Sequence, residues 1–406
     1  MITLLVFLLI LSILVIIHEA GHFFVARKFG IKVEEFGFGI PPRAWGKKIG
    51  ETLYSINWLP IGGFVKLFGE DEAGGGRVAI KNQKSNSKSS ELGVKSSELE
   101  RAFFARPVWQ RALVVVAGVV MNALLAFVIY YVFLGISGFK AELPLFTKHQ
   151  FFGVHQTDRL DSLLVRDVLP DSPAQKAGVK PCDKDRACMQ LVTINGKKMT
   201  TVDEFYATLQ SIQGKSTPFV FKNIVDGKML ETNITPRVNP EEGKGALGIR
   251  FDTIETAVLE YTSSTEKIFS GIIHPINVMA YQFEILSKLI SVSIAEKNVE
   301  PVGSAFSGPV GVFVVTGEVL KIPDLKERLL AVLNLAGLLS ASLAVFNVLP
   351  IPALDGGRLF FILFEGVTGR KVNQKTEALI HSVGMMMLLA LILVITFKDI
   401  FQFFIK

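Results

Sequence analysis

Apolar positions gather into four long runs: Met1 to Ala26, Leu113 to Ile136, Leu329 to Leu349, and Ala378 to Phe397. Each is close to the roughly 20 residues that a helix rising 1.5 Å per residue needs to cross about 30 Å of hydrocarbon. The pattern therefore predicts four transmembrane helices. The first run has no Lys or Arg ahead of it and no small-x-small cleavage site, and it carries His18, Glu19 and His22 at its far end, so it reads as a retained span and not a signal peptide.

Between the runs the pattern changes. Val33 to Phe68 alternates in short β-branched and aromatic runs broken by Gly and Pro, which reads as hairpins apolar enough to touch the membrane. Glu70 to Glu100 is rich in Gly, Ser and Lys without aromatics and reads as a linker. From Phe151 to Pro236, strand-like runs (LLVRDVL, LVTING, PFVFKNIV) and one helical stretch after Thr201 predict a small folded module. From Thr253 to Ile294 a stripe of Ile268, Ile272, Ile276, Met279 and Phe283 at helical spacing predicts an amphipathic helix that packs on a neighbour or lies at the membrane interface.

Charge sets the orientation. Arg27 to Arg111 holds 15 Lys/Arg against 9 Asp/Glu, and the third loop has Arg358, Arg370, Lys371 and Lys375, whereas Gly138 to Arg328 is balanced at 22 against 23. By the positive-inside rule the first and third loops are cytoplasmic, and the long segment and both termini lie outside. The net charge of +6 is thus a topology signal, and no aromatic-interleaved basic patch points to nucleic acid. In 406 residues that are 50% apolar with mean hydropathy +0.42, collagen-like, disordered and disulfide-scaffold classes are excluded. Cys182 and Cys188 both fall in the external segment, where either a disulfide or two thiols is chemically permitted.

The chemistry begins at His18-Glu19-Ala20-Gly21-His22. Histidines four apart share a helix face and can reach one tetrahedral metal, and the adjacent glutamate can act as base toward a metal-bound water. Ionisable groups at the end of a span cost free energy and call for such a reason. A catalytic metal needs a third protein ligand. Asp355 is the candidate: it follows the third run in NVLPIPALDGGR, Asn347 to Arg358, where two prolines end the helix and Gly356-Gly357 lets the chain turn at the depth where the first span leaves its histidines. Alone, Asp355 would read as an ordinary capping aspartate. His149, His155 and His274 read as external surface or packed histidines, and so does His381. Serine, nucleotide and thiol chemistries find no motif here.

HEAGH in a first span and NVLPIPALDGG ending a third, around an external module, resemble the site-2 protease family of intramembrane zinc metalloproteases, nearest to the regulator-of-sigma-E protease type. The resemblance covers essentially the whole chain. GFGIPPRAW (37–45) with GGFVKLFGE (62–70) is similar to that family's membrane-reentrant β-loop, FARPVWQRALVVVAGVVMN (104–122) to the entry of its second span, and FSGPVGVF (306–313) to its SGP segment. Leu169 to Asn195 resembles a bacterial PDZ domain. Two departures stand out: the family's Gly-Pro in the second span is Gly118-Val119 here, with Asn122 kept, and there is room for one PDZ-like module and not two.

The resemblance implies a polytopic α-helical membrane protein with four transmembrane helices, a membrane-associated β-hairpin region and one extracytoplasmic PDZ-like α/β domain. Its segments would be a first span 1–30, a reentrant β-loop region 31–69, a cytoplasmic linker 70–101, a second span 102–137, the PDZ-like domain 150–240, the amphipathic helix and SGP segment 250–328, a third span 329–357 and a fourth 376–402. It implies an enzyme of the bacterial inner membrane with Zn2+ on His18, His22 and Asp355, Glu19 as general base and Asn347 near bound substrate. The implied partners are the lipid bilayer and single-span membrane proteins, such as anti-sigma factors or signal-peptide remnants, already cut by another protease. A non-catalytic PDZ-bearing scaffold is the rival expectation, and it has no need of all four residues.

Overall fold

The computed structural model describes residues 2–70, 99–181, 189–223, 227–241, 244–297 and 308–401. Most of the linker expected at 70–101, both cysteines, and Phe306 and Ser307 of the SGP segment lie outside the described residues. The chain divides into two units, Met1–Ile136 with Phe269–Lys406, and Ser137–Ile268.

In the first unit, helix α1 (Ile2–Lys28) leads into a long antiparallel hairpin, β1 (Val33–Ile49) and β2 (Thr52–Leu67), and then into α2 (Val108–Ser137). Phe23 and Ala26 of α1, Val33 and Leu67 of the hairpin, and Val114 and Val115 of α2 are buried together with Phe103 and Ile362. That cluster fastens the base of the hairpin between the two helices. The outer part of β1 is exposed, with Ile40, Trp45 and Ile49 uncovered beside Arg43, Lys47 and Lys48. This unit continues with α5 (Ser264–Glu296), α6 (Pro309–Leu320), α7 (Leu325–Val348), α8 (Asp355–Thr368) and α9 (Gln374–Ile400).

Five of these helices, and not the four expected, are long and apolar enough to cross a membrane. The addition is α5, whose sequence pattern reads as amphipathic. Its apolar stripe is exposed at Ile268, Ile272, Ile276 and Phe283, while Ser270, His274, Asn277 and Tyr281 are buried. A helix with its polar side inward and its apolar side outward is built for lipid contact. His274 is accordingly a packed histidine, its ring 4.7 Å from that of Tyr130 and stacked at 6.5 Å on Phe133.

The second unit is one six-stranded antiparallel sheet in the order β3-β8-β4-β5-β6-β7, built from Lys140–Leu145, His155–Val168, Met189–Ile194, Thr217–Asn223, Met229–Ile234 and Ile249–Glu260 (β3 to β8 in chain order). Helices α3 (Pro173–Lys176) and α4 (Val202–Ser211) cover its core of Leu163, Val165, Ile194, Phe205, Phe219 and Phe221. Thr201 starts α4 by accepting a bond from the Glu204 N–H, the reason the helix begins where its sequence suggests. The unit is wider than the expected 150–240, because β8 pairs with β4 and also with β3, the latter across more than a hundred residues of chain.

Candidate metal centre

Two helix ends and one helix start meet at the site. His18 and His22 lie one turn apart near the C-terminal end of α1, as their spacing requires. Asp355 is the first residue of α8, where helix dipole and free N–H groups favour a carboxylate. The eight residues from Val348 to Asp355 set its place. Ala353 adopts φ 79°, and its N–H donates to His381 Nδ1 of α9 at 3.1 Å. Thus His381, expected to be a surface or packed histidine, is buried and braces the loop. Both glycines after Asp355 are needed, since a Cβ on Gly356 would meet the Leu349 and Val348 carbonyls and one on Gly357 the Ile351 carbonyl.

Three donor atoms converge. His18 Nε2 lies 3.1 Å and His22 Nε2 3.2 Å from Asp355 Oδ2, and the two Nε2 atoms are 3.2 Å apart. Bonds of about 2.0–2.1 Å in a tetrahedron put neighbouring ligand atoms about 3.3–3.4 Å apart, so this triangle can be one face of a tetrahedral site with its fourth corner open. Asp355 Oδ2 is buried and has no hydrogen-bond partner among the described residues, as suits an atom facing an ion. Among the described residues this is the one cluster of His, Cys, Asp and Glu with metal-ligand geometry.

Helix α2 supports the histidines along one stripe. Val114 O accepts from His22 Nδ1 at 2.8 Å, and the Asn122 amide lies 3.2 Å from His18 Nδ1. Between them, one turn from each, Gly118 leaves room for both rings: a Cβ there would sit 2.7 Å from His18 Cε1 and from His22 Cε1, and closer still to His22 Nε2.

A cavity of about 160 Å³ opens on the triangle, lined by Glu19, Gly63, Phe64, Glu70 and Arg358 besides the three ligand candidates. Glu19 faces the same space as the donors without being one of them. Gly63 of β2 brings hairpin backbone beside it, with room for only a tight Cβ 3.3 Å from Glu19 Cγ. Arg358 and Glu70 were not singled out by the sequence. They form an ion pair across the cavity wall, and burial pulls the Arg358 pKa down to about 10, so the guanidinium stays charged at neutral pH. Their partnership joins the end of the hairpin to α8, a contact between residues 70 and 358 that no local pattern signals. Asn347 sits half-buried in the last turn of α7, and it is not among the residues lining this cavity.

The model of peptidase family M50 matches residues 6–391. The chain is 31% identical over 408 residues to a Fusobacterium nucleatum protein, covering 99% of each. It is 26% identical over 464 residues to the regulator of sigma-W protease RasP of Bacillus subtilis, covering 99% of each, and 26% identical over 456 residues to the zinc metalloprotease RasP of Geobacillus kaustophilus, covering 98% of this chain and 97% of that one.

Proposed function

We infer the reaction from the family: this chain belongs to peptidase family M50, the site-2 type of zinc metalloprotease, and its cofactor is zinc. We propose that it hydrolyses peptide bonds inside the transmembrane segments of single-span membrane proteins. The observation that carries this reading is the convergence of His18, His22 and Asp355 within 3.2 Å of one another with Glu19 in the same cavity. Those three residues would hold the ion. Zinc, when bound, supplies a Lewis acid and a nucleophile that is available at neutral pH. Glu19 takes the proton of the attacking water and returns it to the leaving amine.

A peptide bond in a spanning helix is dry and hydrogen-bonded, so the substrate helix has to unwind before it is cut. The β1–β2 hairpin would receive the unwound segment by strand addition, since β2 brings backbone next to Glu19 at Gly63. Asn347 would hold a freed backbone group of the substrate with its amide.

The reading also favours four spans. The C-terminal end of α1, the N-terminal end of α2 and the C-terminal end of α7 meet at the site, so α1 and α7 run toward one side of the membrane and α2 away from it. Between α2 and α7 the chain must cross an even number of times. Helix α6 has 12 residues, about 18 Å, too short to cross, which leaves no return partner for α5 among the described residues. We place α5 against the outer side of the bundle, the zinc site toward the cytoplasm of a bacterial inner membrane, and both termini outside. The inner placement rests on the charge of the loops.

The external unit we read as one PDZ-like module. Between α4 and β8 lies a groove of about 640 Å³ lined by Phe205, Tyr206, Leu209, Ile249 and Phe251. Strand β3 pairs with β8 only at 255–260, which leaves residues 249–253 of β8 with one sheet neighbour among the described residues. An open strand edge beside an apolar groove suits an extended peptide. We propose that this module admits substrates already trimmed by another protease, such as anti-sigma factors or signal-peptide remnants. Replacing residues 146–254 by a short Asn-Gly turn, which lets β3 and β8 stay paired as a hairpin, is expected to permit cleavage of untrimmed substrate. Unchanged selectivity would overturn that role.

For the reaction itself, the full-length protein in detergent is mixed with a single-span substrate. We expect cleavage inside the span, mapped by mass spectrometry, to cease with a zinc chelator and return with added zinc. Chelator-resistant cleavage, or cutting only outside the span, would overturn the proposal.

A further inference from the structure

We propose that Asn122 is a positioning residue of the metal centre that accepts a hydrogen bond from His18 Nδ1–H through its Oδ1, fixing the ring so that Nε2 faces the ion. The inference rests on the reading of His18, His22 and Asp355 as zinc ligands and goes beyond it. An imidazole that ligates through Nε2 carries its remaining proton on Nδ1, and that N–H needs an acceptor. His22 has one that cannot be anything else, the Val114 carbonyl at 2.8 Å. His18 presents the same edge to the same helix two turns further on, and there it meets the Asn122 amide at 3.2 Å. In the orientation drawn, the amide nitrogen faces Nδ1, which would set a donor against a donor once His18 binds through Nε2. Exchanging oxygen and nitrogen resolves the conflict. It forfeits no bond of the oxygen, because Asn122 Oδ1 is buried and has no hydrogen-bond partner among the described residues. The two amide atoms are assigned from such networks and not from their shape.

The backbone around Asn122 is held for this task. The residue is fully buried in the middle of α2, where a polar side chain facing hydrocarbon would be costly. Its own carbonyl accepts from Ser340 Oγ of α7 at 2.7 Å, which ties α2 to the helix that leads to Asp355. Val114, Gly118 and Asn122 thus form a single stripe at i, i+4 and i+8: an acceptor for one ring, space for both, and an acceptor for the other. Partners of this kind set the tautomer and orientation of a ligating histidine, and their loss weakens metal binding about 10–100-fold.

The test is zinc affinity of the full-length protein in detergent, measured by competition with a chromogenic chelator and independent of activity, for Asn122→Asp and Asn122→Leu. Aspartate keeps an acceptor and loses the donor, so it should bind zinc as tightly as wild type or more tightly. Were the nitrogen the atom that matters, Asp would instead lose about tenfold or more, and that result overturns the inference. Leucine removes the acceptor and is expected to bind about 10–100-fold more weakly with an altered visible spectrum of the cobalt-substituted form; wild-type affinity in Leu would likewise overturn it. If the Leu protein does not fold, Asp decides alone. Failure of wild type to bind zinc would instead bring down the ligand reading beneath it.

Discussion

Replacing Glu19 by Gln is expected to lower the single-turnover cleavage rate by about 10²–10⁴-fold while zinc content stays that of the wild type. The separation of the two readouts follows from the geometry. The three atoms that form the triangle belong to His18, His22 and Asp355, and Glu19 contributes none of them, so a neutral amide of the same shape leaves the ligand set intact. What the amide cannot do is take a proton. Glu19 lines the cavity beside the triangle, next to hairpin backbone at Gly63, where a water and a substrate carbonyl would have to meet. Substrate affinity should change little, because the hairpin edge and not the carboxylate would bind the chain. Cleavage by Glu19→Gln at the wild-type rate would remove the residue from the reaction, and loss of zinc would make it a ligand.

The parts of this molecule that the sequence makes legible are those in which neighbours in space are neighbours in sequence. His18 and His22 share a helix face because of their spacing, and α4 starts at Thr201 because a threonine caps it. Asp355 could be named because Pro350, Pro352 and two glycines mark a turn at the right depth, although its position as the first residue of a new helix needed coordinates. The rest depends on distant pairs. Arg358 meets Glu70, His381 holds the Ala353 N–H, and β8 reaches back to β3. None of these leaves a periodic trace. The α5 stripe shows a different limit: period 3.6 reveals which residues share a face, but it cannot tell whether the apolar face looks toward protein or lipid, and here Ile268, Ile272 and Ile276 look outward.

The same stripe of α2 that carries Asn122 yields the sharpest structural prediction. Gly118→Ala is expected to weaken zinc binding at least about tenfold and to abolish cleavage, whereas Gly135→Ala on the same helix should leave both unchanged. A methyl group at Gly118 would lie 2.7 Å from the Cε1 atoms of both His18 and His22, while at Gly135 nothing lies within 4 Å. Neither ring can yield. His22 is bound through Nδ1 to Val114, His18 abuts Asn122, and both Nε2 atoms must stay on the Asp355 side to keep the triangle. Nor can the helices separate freely, since Gly21 packs its backbone directly on the Ala117 carbonyl. A site of this kind tolerates displacements of about 0.5 Å, less than the methyl demands. Zinc content and cleavage measured on monodisperse protein would check it; a Gly118→Ala protein with full zinc and full activity would show that the imidazoles do not rest against α2, and the orientation argued for His18 would fall with that contact.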